Sequence, residues 1–141
     1  MRWYNPLILK ALLLCLAFLS LQAAPWREMK TFSVGKDEMT KIMIKSEGQE
    51  RILSWRWTLY TDKALIVHDS FDRFVGQHVL YAGYTNQSFR KQLLPAVKSE
   101  RDAAYVIVVF KKFDEGAKKA QFDLLVFDKE KRVVLDYLTE K

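Results

Sequence analysis

AYVIVVFKKF (Ala104–Phe113), AQFDLLVF (Ala120–Phe127) and RVVLDYL (Arg132–Leu138) close the chain as three runs rich in β-branched and aromatic residues. Two polar turns join them, Asp114-Glu115-Gly116 and Asp128-Lys129-Glu130-Lys131. β-Branched and aromatic side chains suit the pleated, half-buried surface of a strand, and short polar connections return the chain alongside itself. The three runs together predict an antiparallel meander.

Alternation of apolar and polar residues, the period of a half-buried strand, extends toward the N-terminus. Met29–Val34, Met39–Lys45 and Arg51–Tyr60 read as successive strands separated by Gly35-Lys36-Asp37 and Ser46-Glu47-Gly48-Gln49. In the third, alternation puts Leu53, Trp55, Trp57 and Leu59 on one face and Ser54, Arg56 and Thr58 on the other. Thr61-Asp62-Lys63 then turns the chain into Ala64–His68, an apolar run that fits a strand buried on both faces.

Ser70–Val75 changes period. Phe71, Phe74 and Val75 match helical spacing, Ser70 can cap, Asp72 falls in the first turn and Gly76 follows as a stop, so a short helix is expected. His78–Tyr84 returns to strand. Asn86–Leu94 reads as a second helix, with Asn86 as cap, Phe89 and Leu93 four apart and Pro95 just past the end. The expected fold class is α+β: a mainly antiparallel sheet of about eight strands, able to curl toward a barrel, with one or two short helices.

The first residues carry a different signal. Arg2 and Lys10 precede an uncharged apolar segment, Ala11–Leu21, and small residues follow at Ala23 and Ala24. A basic segment, an apolar run and a small-residue exit are the parts of a cleaved secretory signal peptide. The alternative, an uncleaved anchor, needs roughly 20 apolar residues, and Ala11–Leu21 is too short. Residues 1–23 are therefore expected to leave as a signal peptide, with 24–141 as a single small domain. Cys15 does not fit a lipidation site, because Leu14 precedes it where a small residue is wanted and apolar sequence continues beyond it.

Loss of Arg2 and Lys10 from the 23 basic residues leaves 21 against 17 acidic, a net charge of +4 with both signs interspersed. That is not the charge pattern of a nucleic-acid binder, and export argues separately against such a partner. Cys15 is the only cysteine, so residues 24–141 can form no disulfide, thiolate metal site or cysteine nucleophile. A disulfide-free exported domain fits a bacterial periplasm.

Few residues suggest chemistry. His68-Asp69-Ser70 has catalytic residue types, yet neighbours on a strand point to opposite faces and cannot hydrogen-bond in series. His68 and His78 lack the spacing and companions of a zinc motif. There is no phosphate-cradling glycine loop or dinucleotide fingerprint, so no catalytic residue, metal or cofactor is assigned.

Two surfaces remain. Lys111-Lys112 and Lys118-Lys119 flank the turn Asp114-Glu115-Gly116, and a hairpin there would gather four ammonium groups at its neck, with alternation putting Lys111 opposite Lys112 and Lys118 opposite Lys119. Arg90, Lys91, Lys98 and Arg101 add charge around the second expected helix. Lysines also guard exposed strand edges, which is the plainer account of them. Trp55 and Trp57 are first of all a core ladder; on an open sheet face they would line a groove for a peptide, glycan or acyl chain.

By elimination the sequence points to an exported, periplasmic or secreted, non-enzymatic domain. It would dock to another cell-envelope component, a protein before an anionic lipid or polymer, through a sheet edge or the basic hairpin. A small-molecule or lipid carrier with an aromatic-lined cavity is the alternative, and a hydrolase comes third.

Overall fold

The computed structural model describes residues 27–99 and 103–138, and the segment expected to leave as a signal peptide and Arg101 lie outside them. Nine strands and no helix occur among the described residues. They are β1 (Glu28–Gly35), β2 (Thr40–Ser46), β3 (Gln49–Thr61), β4 (Ala64–Phe71), β5 (Phe74–Tyr81), β6 (Ser88–Leu94), β7 (Ala104–Asp114), β8 (Lys119–Phe127) and β9 (Val134–Leu138). The fold is therefore all-β rather than α+β. Two antiparallel sheets, ordered β1-β8-β7-β6 and β5-β4-β3-β2-β9, share one apolar interior and are not closed into a barrel.

Both expected helices are strands, each for a local reason. Between β4 and β5, Asp72 and Arg73 take positive φ (50° and 69°) and join the pair Phe71↔Phe74 as a two-residue hairpin turn. Such a turn matches the right-handed twist of the strands it connects. Glycine usually supplies these angles, and without it the aromatic spacing imitated a helix. In β6, Phe89 and Leu93 are both buried, as helical spacing required, but residues four apart share a face in a strand as well. Between them on that inward face stands Lys91, a cation that hid the alternation.

The C-terminal meander is also corrected. β7 and β8 pair as expected, whereas β9 lies beside β2 in the other sheet. Asp128 turns the chain across. Its buried carboxylate accepts hydrogen bonds from the backbone N–H of Arg132 (3.0 Å) and Val133 (2.9 Å) and from the Arg27 guanidinium (2.9 Å). A carboxylate satisfied by three donors fixes the corner, and Val133, 1% exposed, anchors it in the interior.

Trp55 sits at the centre of that interior, fully buried. From β3 it meets Phe32 of β1 and Phe122 of β8 edge-on, at ring-centre distances of 5.5 and 6.4 Å. Edge-to-face contacts set the positive rim of one ring against the negative face of another, adding to the area buried. The Trp57 indole N–H donates to the Val34 carbonyl (2.8 Å), tying β3 to the opposite sheet. After Trp57 the register shifts by a bulge, so Tyr60 packs against the core and Leu59 is turned out, 50% exposed.

The open side between β1 and β9 is closed by the Tyr137 hydroxyl donating to Glu28 (2.6 Å), while the Lys30 ammonium lies 3.8 Å from the Tyr137 ring centre.

Replacing Trp55 or Trp57 with Ala is expected to cost about 3–5 kcal/mol, the range for large aromatics removed from cores. Chemical denaturation of the single variants measures it. Tyr137 gives a pH-dependent readout: burial, and then the Glu28 carboxylate, push its phenol pKa well above the ordinary value. Its contribution is complete below the unfolded phenol pKa of about 10 and is lost as pH rises beyond that. Tyr137→Phe should cost about 1–2 kcal/mol at neutral pH and flatten the alkaline arm of a stability profile taken from pH ~7 to ~11.

Candidate functional site

The β7–β8 hairpin carries the four lysines singled out by the sequence, and a bulge at Lys111 leaves all four exposed. The register shifts between Phe110 and Lys112, so Phe110 is buried and Phe113 packs against the core while Lys111 and Lys112 are both exposed. Lys112 stands across from Gln121, and Lys119 across from Asp114. Lys111 reaches Asp123 (3.7 Å), and Lys118, in the turn at φ 54°, reaches Glu115 (3.4 Å). Lys112 and Lys119 have no carboxylate partner among the described residues.

The bulge that frees the lysines also sends Phe113 toward β3. Its ring stacks on Tyr60 at 3.9 Å and meets Trp57 edge-on at 5.5 Å. Above these rings lies a depression of about 330 Å³ lined by Trp57, Leu59, Tyr60, Phe113, Lys36, Glu115 and Lys118. The end of the sandwich is thus an aromatic floor with one half-exposed leucine and lysines at its rim. Lys36 comes from the β1–β2 connection and forms no ion pair among the described residues. Trp57 is only 4% exposed, so its indole contributes an edge, and the Trp55 ring stays inside the core.

A second constellation joins residues that the sequence treated apart. Asp69 points inward from β4, with a fully buried carboxylate. One oxygen lies 2.6 Å from His78 Nε2 on β5, and the other 2.6 Å from the Lys91 ammonium on β6. His78 stacks on Phe89 at 4.4 Å, nearly parallel. Gly76 stands across from Asp69, and a Cβ at Gly76 would overlap Asp69 Oδ1. The absent side chain makes room for the carboxylate.

An Asp–His pair is half of a nucleophile-activating set, yet no Ser, Thr or Cys side chain bonds the His78 ring among the described residues. Ser70 and His68 lie on the other face of β4, and His68 instead approaches the Thr58 hydroxyl (3.2 Å). The cluster acts as a tie between the two sheets, with each ionic group compensated by its neighbours. Among the described residues no group of three His, Cys, Asp or Glu is arranged to hold a metal ion. No described helix is long and apolar enough to cross a membrane.

Of the other basic residues singled out by the sequence, Arg90 lies over Tyr105, 3.6 Å from its ring centre, and Lys98 is exposed beyond β6. Comparison of the chain with protein-family models, curated proteins and solved structures finds no match.

Gly76→Ala tests the tie. Its methyl group must displace the Asp69 carboxylate from His78 and Lys91, and overpacking of this kind costs about 1–3 kcal/mol. Chemical denaturation should show that loss, while alanine at the open turn position Gly116 should change stability much less.

Proposed function

We propose that this chain is an exported, non-enzymatic binding domain of the cell envelope, and that the hairpin end of its sandwich docks an acidic segment of a partner protein. One observation carries the reading: an aromatic depression and three lysines without a carboxylate partner among the described residues, Lys36, Lys112 and Lys119, occupy the same end of the molecule. Tyr60, Phe113 and the edge of Trp57 offer a pre-formed apolar seat. An aliphatic or aromatic side chain entering it would displace water from flat ring surfaces, the kind of contact that anchors an interface.

Lys36, Lys112, Lys118 and Lys119 define the partner's charge. Lysines near the surface steer association and select against basic partners more than they hold the complex, because solvent and salt screen them. The expected partner segment therefore sets one large apolar residue among aspartates or glutamates. The signal peptide read at residues 1–23 supports an encounter in the periplasm or outside the cell, where a domain without cysteine would rely on its packed core alone.

The protein recovered from cells expressing the full chain should begin between Ala23 and Trp26, read by intact mass. Immobilised, it should capture envelope proteins in a salt-sensitive manner. Replacement of Lys36, Lys112, Lys118 and Lys119 by glutamate should leave unfolding free energy within about 1 kcal/mol, as surface substitutions do. Capture should fall at least tenfold. A folded quadruple variant that recovers the same partners at the same yield would sink the proposal, and retention of Met1 in a membrane pellet would sink its location.

A further inference from the structure

The outer face of the five-stranded sheet holds a larger concavity, of about 570 Å³, lined by Met39, Ser54, Arg56, His68, Ser70, Val75, Gln77 and the strands around Asp69 and Gly76. Strand register lays out its floor. Arg56, His68 and Gln77 are direct cross-strand partners in one row across β3, β4 and β5, and Ser54, Ser70 and Val75 form the next. Neighbouring strands are about 4.8 Å apart and same-face residues about 7 Å apart along a strand, so the two rows make one compact patch.

Every polar side chain on this floor can donate a hydrogen bond: a guanidinium, an imidazole, two hydroxyls and a carboxamide. No carboxylate opposes them. Asp69, the acid among the lining positions, has its side chain fully buried on the inward face and bound to His78 and Lys91. Arg56 forms no ion pair and no hydrogen bond with any described residue. A guanidinium presents a planar fork matched to two oxygens of a carboxylate or phosphate.

We infer that this trough is a binding site for a small hydroxylated oxyanion, a sugar acid or a sugar phosphate. Arg56 takes the anionic group, Ser54, Ser70 and Gln77 meet hydroxyls beside it, and Met39 and Val75 contact the carbon skeleton at the rim. The volume falls within the range that small-molecule sites use. Because successive residues on a strand face opposite ways, Arg56 serves this face while Trp57 serves the interior behind the hairpin site. The two sites are therefore separable by mutation.

Isothermal titration of the protein purified from cells expressing the full chain, at low salt, tests the site with glucuronate, glucose 6-phosphate and uncharged glucose. Saturable binding of at least one anion is expected, with glucose at least tenfold weaker; which anion binds identifies the group as carboxylate or phosphate. Arg56→Gln should weaken binding at least tenfold without moving the unfolding midpoint, since the side chain is exposed. Ser70→Asp, which sets a carboxylate on the floor, should abolish it independently. Lys112→Glu with Lys119→Glu should leave it within twofold. The inference is overturned if neither anion saturates, if glucose binds as well as the anions, or if either floor variant binds like wild type.

Discussion

Everything else in this molecule rests on the contact of Trp55 with Phe32 and Phe122. It brings the middle of one sheet edge-on against the other, in a domain with no cysteine among residues 24–141. Without a covalent staple, the apolar interior must supply the stabilisation that offsets the ordering of the backbone. The Trp55 N–H has no hydrogen-bond partner among the described residues, a cost of about 1–3 kcal/mol accepted for the sake of the ring's area. The sheets' open sides are then tied by polar groups, Glu28 with Tyr137 on one side and Asp69 with His78 and Lys91 on the other.

How much of this could be read in advance depended on whether local pattern and tertiary packing agreed. The strands at Met29–Val34, Met39–Lys45, Arg51–Tyr60, Ala104–Phe113 and Ala120–Phe127 were legible because apolar residues recur at every second position of most of them and β-branched and aromatic side chains crowd the two C-terminal ones. The helical readings failed where packing used an exception. Lys91 faces inward because Asp69 on another sheet compensates it, a fact separated from it in sequence and invisible to periodicity. Asp72-Arg73 forms a tight turn without glycine. The crossing of β9 to β2 depends on Asp128 gathering three donors, one of them from Arg27 at the far end of the described chain.

The candidate surface shows the same division. The lysines of the hairpin could be named from sequence, and so could the β-rich runs on either side. Their grouping could not, because strict alternation sent Lys111 and Lys112 to opposite faces, and the bulge after Phe110 leaves both exposed. Tyr60 entered the site through a second bulge, after Trp57, which reversed the expected positions of Leu59 and Tyr60. Bulges are single-residue events with no residue signature here, yet each re-aims every side chain that follows it. Lys36 joined from a connection that sequence could treat only as a turn.

The two bulges also account for the aromatic surface at one end of an otherwise regular sandwich. Regular strands give one face to the core and one to solvent, so an aromatic ring is either wholly packed or exposed beside polar neighbours. Shifting β3 and β7 by one residue each, near their ends, lets Tyr60 and Phe113 stack on one another at the margin of the core. Their inner edges complete the interior and their outer edges floor a depression. That floor is held by the same contacts that stabilise the fold, with Trp57 bonded to Val34 behind it, so little ordering entropy would be lost in the proposed docking. In the proposed docking, a rigid apolar seat and exposed lysines around it would divide the work: the lysines would govern the rate of encounter, and the seat how long the encounter lasts.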